Sequence, residues 1–255
     1  MQTGTDAENH GPKKSMVSPP AGKFREMLLD MASKVLPHDT QNTTCPPAAV
    51  VCGEGPVIIV CSIMRSGTHL LLDSLFNNFP TLRRAPLFID FDAYERGSLP
   101  LEPIVGVTGA IIKTHYPQTP LKPAYAAALA EIASRAVVFK PTRPANQVRN
   151  SLAKWEMRMS IEEFAELERR FDNFWAPFAP NVVEFSTLLD SQGVSQFLQL
   201  VQQRTGFKPR AGRPMMPAHS RFGVYLDKAL TRVLGCRVRR VNTTIGYRVS
   251  PKNRP

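Results

Sequence analysis

No stretch of this 255-residue chain approaches the ~20 consecutive apolar residues that a membrane-spanning helix needs. The opening MQTGTDAENHGPKKS holds no apolar core of the kind a cleaved secretion signal carries, so a soluble, cytoplasmic protein is expected. Cysteine is scarce: four residues make no disulfide framework, and no pair of them has zinc-ligand spacing. Acidic residues are outnumbered, 21 against 32 Lys and Arg, which leaves a net charge of +11. From residue 228 onward they are missing altogether, while Lys228, Arg232, Arg237, Arg239, Arg240, Arg248, Lys252 and Arg254 all fall there. That surplus favours an anionic partner: a nucleotide, a nucleic acid, an acidic glycan or a membrane surface. A hydrophobic share of 43% against 21% charged residues is enough for a globular core, and the length suits one sizeable domain with a tail.

Residues 1–55 read as a loose N-terminal tail with one amphipathic helix. Within it Phe24, Met27, Leu28, Met31 and Val35 keep helical spacing over 22–36, a face that packs on the domain or meets a partner. Residues 56–255 read as the folded α/β domain, with a basic C-terminal tail from about 236. The two Asn-Thr-Thr sequons, at Asn42 and Asn242, are taken as chance in a chain without a secretion signal.

Strand-like and helix-like segments alternate through the domain. Short β-branched or apolar runs at 57–61, 110–112, 136–139 and 182–185 read as strands. Segments 70–79, 123–135, 146–157, 161–172 and 194–204 read as helices, the second with Pro123 at its start. This alternation predicts a central parallel sheet covered by helices on both faces, a three-layer α/β sandwich.

Three segments after strands carry chemistry. The first strand runs into Arg65-Ser66-Gly67-Thr68 and then a helix. A loop wrapping into a helix start offers unpaired N–H groups to an anion, Gly67 permits close approach, and Arg65 adds a permanent charge. A plain strand-to-helix turn is the alternative. The loop is no Walker A motif, since Ser62 replaces its first glycine and Thr68 its lysine, which disfavours an ordinary ATPase or GTPase. Lys113-Thr114-His115 follows the second strand, where parallel sheets bind ligands. His115 suits proton transfer near neutral pH, or a structural role. Arg143 ends the third strand and Ser151 lies eight positions on, two helical turns in; taken alone they read as a solvent-facing Arg and an ordinary helix Ser as readily as an anion contact.

In this order and spacing the segments resemble the sulfotransferases. Arg65-Ser66-Gly67-Thr68 is similar to that family's 5′-phosphosulfate loop, although His69 stands where many members have a second Thr. Lys113-Thr114-His115 resembles the segment holding the family's general base, and Arg143 with Ser151 resembles its 3′-phosphate site. Around that site Pro144-Ala145 and Gln147 depart from the usual Asn/Asp-Pro and Asp. The resemblance covers about residues 57–204. The family's closing Arg-Lys-Gly-x-x-Gly segment has only a partial counterpart in Arg221-Phe222-Gly223, with Leu226 in place of the second Gly.

The resemblance implies a P-loop NTPase-like sulfotransferase fold and the cofactor 3′-phosphoadenosine 5′-phosphosulfate (PAPS), without a metal. It implies His115 as base, Lys113 and Arg65 as charge stabilisers, Arg65, Ser66, Gly67 and Thr68 on the phosphosulfate, and Arg143 and Ser151 on the 3′-phosphate. The acceptor would be a small molecule or a glycan bound by residues 83–109 and 206–255. Phe88, Phe91, Tyr94 and Tyr116 either line that pocket or pack in the core. Asp90 and Asp92 read as solvated loop carboxylates, with orientation of an acceptor hydroxyl or amine as the alternative. Three rivals stand beside this reading: a basic nucleic-acid-binding protein, disfavoured because no helix-turn-helix, zinc finger or aromatic RNA-binding signature occurs; a nucleotide kinase with a divergent loop; and an inactive scaffold that binds the cofactor.

Overall fold

The computed structural model describes residues 53–84 and 88–216. The expected helix over 22–36, the partial glycine segment at 221–226 and the basic tail lie outside them.

Five strands form one sheet. In chain order they are β1 (Ile58–Cys61), β2 (Phe88–Asp90), β3 (Ile111–Thr114), β4 (Val137–Thr142) and β5 (Asn181–Glu184). They lie in the order β2-β3-β1-β4-β5, every neighbouring pair parallel, with Ile58 opposite both Ile111 and Val137. β1 is therefore central. The chain winds from it to one side and then to the other, so the loops after β1, β3 and β4 gather at one end of the sheet.

Side-chain alternation along each strand builds the three layers. Ile58 and Val60 face one way with Ile111, Phe139 and Val183; there they meet α1 (Thr68–Asn78) through Leu71 and Leu75, and α8 (Ser191–Thr205) through Val194, Phe197 and Val201. Ile59 and Cys61 face the other way with Ile112 and Val138. They meet Leu129 and Ile132 of α5 (Pro123–Arg135), and Phe164, Phe171 and Trp175 of α7 (Ile161–Trp175). Each such side chain taken fully out of water contributes ~1.5–3 kcal/mol. The same side of the sheet also packs α3 (Phe91–Arg96), α4 (Glu102–Val105) and α6 (Ala145–Ala153). A short helix α2 (Pro80–Arg84) follows α1. No helix among the described residues is long and apolar enough to cross a membrane.

Several boundaries differ from the sequence reading, each for a local reason. The folded part reaches back to Gly53, because Gly53 N–H donates to Thr108 and Gly109 N–H donates to Gly55. β2 has only three residues and runs straight into α3, too short to show a period. β4 continues past Phe139 through Lys140-Pro141. Its pairing with β1 ends at Phe139, so the missing N–H of Pro141 breaks no bond there, and Pro141 lies opposite Val183. α6 stops at Ala153 rather than 157, where Trp155 and Met157 N–H turn back to Leu152 and Glu156 takes a φ of 63°. α7 is sharply started by Ser160, whose hydroxyl accepts the Glu163 N–H while the Glu163 carboxylate accepts the Ser160 N–H.

Candidate functional site

The loop between β1 and α1 is shaped by two left-handed residues. Arg65 has φ 73° and Gly67 φ 105°, with Ser66, which is not left-handed, between them. Alternation of this kind turns successive N–H groups toward a common point, a nest for an anion. Ser66 N–H donates to Ile63. The N–H groups of Arg65, Gly67 and Thr68 have no acceptor among the described residues, and the last two begin helix α1 with its positive end. Glycine is required at 67 on two counts: the φ, and the Phe185 ring, whose Cδ2 would lie 2.6 Å from a Cβ there. Thr68 Oγ1 is 2.5 Å from Ser62 Oγ, so that hydroxyl is engaged inside the loop, and Ser66 is buried.

His115 stands at the end of β3, against this loop. Its Nδ1 lies 2.7 Å from the carbonyl oxygen of Ser62 and 3.3 Å from the Ser62 hydroxyl. A carbonyl only accepts, so Nδ1 carries the proton and the neutral ring keeps its lone pair on Nε2. Burial drives the His115 pKa down to about 3, and the nearby Lys113 ammonium adds to that; the Ser62 bond and Asp90 pull the other way. The imidazole is neutral across the physiological range.

Asp90 and Asp92 are not solvated loop carboxylates. Asp92 is 2% exposed and sits under the end of β3, where it accepts the Thr114 hydroxyl at 2.8 Å and the His115 N–H at 2.9 Å. Asp90 caps α3 by accepting the Ala93 N–H and pairs with Lys113 Nζ at 2.9 Å; Lys113 also lies 3.7 Å from Asp92. Burial raises the Asp92 pKa to about 6 against the opposing pull of Lys113. For Asp90 burial acts upward too, but the direct Lys113 contact outweighs it and holds the carboxyl below its ordinary value. The charge of Lys113 is thus matched by two carboxylates.

The segment after β4 lies on the other flank of the loop. The bonded pairs here are Arg65 with Ser151 and Arg143 with Gln147, each at 2.9 Å from Nε. The Arg65 guanidinium also lies over the Trp155 ring at 4.9 Å, and that of Arg143 over Phe185 at 4.6 Å. Phe185 therefore lies between Gly67 and Arg143. A cavity of about 50 Å³ opens between Ser66 and Arg143, walled by Thr142, Lys140 and Asp172. Gln147, four positions after Arg143 on α6, accepts from its guanidinium and so orients it.

The structure thus joins the Arg65–Thr68 loop to His115 through Ser62 and to Ser151 through Arg65, whereas Lys113 is engaged by Asp90 and Asp92, and Arg143 is bonded to Gln147 rather than paired with Ser151. Phe91 and Tyr94 are fully buried and Phe88 nearly so, all three in the core rather than in a pocket wall. Tyr116 is half-buried, edge-on to Phe174 at 4.6 Å. Sequence reasoning missed Ser62, Trp155, Phe185 and Gln118; of these, only the small Ser62 inside the loop motif gave a local signal. Among the described residues no three His, Cys, Asp or Glu side chains gather to hold a metal.

No protein-family model matches the chain, and no curated protein does. Among solved structures it is similar to a shikimate kinase from Acinetobacter baumannii in complex with shikimate. The TM-score is 0.42 at 15% identity, over 58% of this chain and 94% of that one.

Proposed function

We propose that this chain is a PAPS-dependent sulfotransferase that transfers the sulfuryl group to a hydroxyl or amine of a small-molecule or glycan acceptor. The observation that carries the reading is the pinned tautomer of His115 beside an anion nest: Nδ1–H is committed to Ser62, which leaves Nε2 as the proton acceptor. PAPS supplies an activated sulfuryl group with a phosphate at each end. The free N–H groups of Arg65, Gly67 and Thr68 suit the phosphosulfate end, and Arg143 on the far flank suits the 3′-phosphate. ATP lacks a 3′-phosphate and so forgoes the charge-assisted contact with Arg143.

In the reaction the acceptor oxygen or nitrogen forms a bond to sulfur as the bond from sulfur to the bridging oxygen breaks. The acceptor proton goes to His115 Nε2, and adenosine 3′,5′-bisphosphate leaves. Charge stabilisation falls to Arg65 and the loop N–H groups, while Lys113 contributes only what Asp90 and Asp92 leave uncompensated. Burial is the main cause that lowers the His115 pKa and the Lys113 ammonium the second; an anionic ligand in the nest opposes the second of these.

A thermal-shift comparison of adenosine 3′,5′-bisphosphate, ATP and AMP tests the reading. Stabilisation by the bisphosphate alone, erased by Arg143→Ala, is expected. Stabilisation by ATP with Mg²⁺ instead would make the protein a kinase. Binding of none of them, with steeply salt-dependent binding of DNA or RNA, would make it a nucleic-acid binder.

A further inference from the structure

We infer that Gln118 is a positioning residue that clasps the phosphate loop to the turn bearing His115, so that the shape of the anion nest and the place of the base are set by one part of the chain. This rests on the sulfotransferase reading for its consequence in function, but not for its geometry.

Gln118 Oε1 accepts the N–H of Met64 at 2.6 Å, across 54 positions of chain. Met64 immediately precedes Arg65, whose φ of 73° is one that a long side chain keeps only where its surroundings hold it. With its N–H fixed, Met64 cannot drift, and the left-handed step at Arg65 begins from a defined peptide. The same bond withdraws Met64 from the anion site, so the nest begins at Arg65.

Gln118 is itself held. Its N–H and that of Thr119 both donate to the carbonyl of His115, at 2.8 and 3.2 Å, which closes the turn 115–119. The Trp175 indole N–H donates to Tyr116 in that turn at 2.8 Å, and Tyr116 packs on Phe174, so α7 braces it from behind. The turn then grips the loop twice: through Gln118 on Met64, and through His115 Nδ1 on the Ser62 carbonyl. Ser62 N–H bonds Thr114 at 3.2 Å in addition. A change of loop shape on anion binding must pull on both grips, and the base is one of them.

Three proteins decide this: wild type, Gln118→Ala, which removes the acceptor, and Gln118→Glu, which keeps one. The readouts are hydrogen exchange of the Met64 amide, the melting temperature and the Kd for adenosine 3′,5′-bisphosphate. Gln118→Ala is expected to speed Met64 exchange and weaken the bisphosphate about tenfold, at a melting temperature within a few degrees of wild type. Gln118→Glu is expected to restore slow Met64 exchange and part of the affinity, its added negative charge withholding the rest. Unchanged Met64 exchange in Gln118→Ala, or no recovery of it in Gln118→Glu, overturns the clasp. Wild-type affinity in Gln118→Ala also overturns it, and leaves the sulfotransferase reading standing. If wild type fails to bind the bisphosphate, that reading falls, while Met64 exchange still decides the clasp.

Discussion

Arg65 Nε donates to the hydroxyl of Ser151 at 2.9 Å, joining the phosphate loop to helix α6 across 86 positions of chain. The cation proposed for the phosphosulfate is thereby fixed to the residue expected at the other phosphate. The bond orients the guanidinium, which also rests on the Trp155 ring.

Ser151→Ala removes that tether without touching the core. A hydrogen bond to a charged group contributes about 1.5–3 kcal/mol. The expected result is a Kd for adenosine 3′,5′-bisphosphate raised by about tenfold or more, with a melting temperature lowered by several degrees. Calorimetric titration reads the first and a thermal melt the second. An unaltered Kd would reduce the Arg65–Ser151 bond to a surface contact.

His115→Ala takes away the only proton acceptor proposed for the reaction. Turnover is followed as bisphosphate release from PAPS with a panel of phenols, alcohols and amines. It should fall by about a hundredfold or more. Bisphosphate binding should stay within a few-fold of wild type, since no phosphate is assigned to His115. Turnover near the wild-type rate would remove His115 from the base role.

The same histidine shapes the pH dependence of stability. Its folded pKa, about 3, lies below its ordinary 6.5, so the unfolded chain binds the extra proton first. The stability linked to His115 is complete above pH ~6.5 and is lost as pH falls toward 3, by at most about 1.4 kcal/mol per pH unit. Asp92 acts oppositely. With a folded pKa of about 6 against 3.8, it stabilises the fold increasingly as pH falls from 6 to 4. Between pH 7 and pH 5 the two contributions therefore oppose each other. Urea melts at the two pH values should show acidification to be less damaging than in wild type in His115→Gln and more damaging in Asp92→Asn. The reverse order in those two variants would contradict the assigned environments.

The layers of the fold were legible in the sequence because buried parallel strands are short β-branched runs and their covering helices are periodic. Ile58 to Cys61 and α5 both show this plainly. β2 was not legible, since a three-residue strand has no period and owes its place to pairing with β3. At the site, the loop, His115 and Arg143 could be read because each follows a strand end in a recognisable local string. Gln118, Phe185 and Trp155 could not: each acts on a residue 54 to 118 positions away or on another loop, and nothing local marks it. Asp92 was misread for the same reason, as its partners Thr114 and His115 lie 22 and 23 positions downstream.

Gly67 brings backbone, packing and binding to one atom. Replacing it with Ala forces a side chain onto a φ of 105° and sets a Cβ 2.6 Å from Phe185 Cδ2. The backbone strain alone is worth about 1–3 kcal/mol. Gly67→Ala should therefore be destabilised by at least that much in urea and should bind adenosine 3′,5′-bisphosphate poorly. Phe185→Ala makes room for the Cβ but also removes the ring beneath Arg143. In the double variant the packing conflict is relieved while the φ strain and the loosened Arg143 remain. A double-mutant cycle should then show favourable coupling in stability, with Gly67→Ala less costly in the Phe185→Ala background. Bisphosphate affinity should not recover, because nest and clamp are both damaged. Recovery of affinity together with stability would mean that Gly67 matters only as space for Phe185, and that the loop needs no left-handed residue to hold an anion.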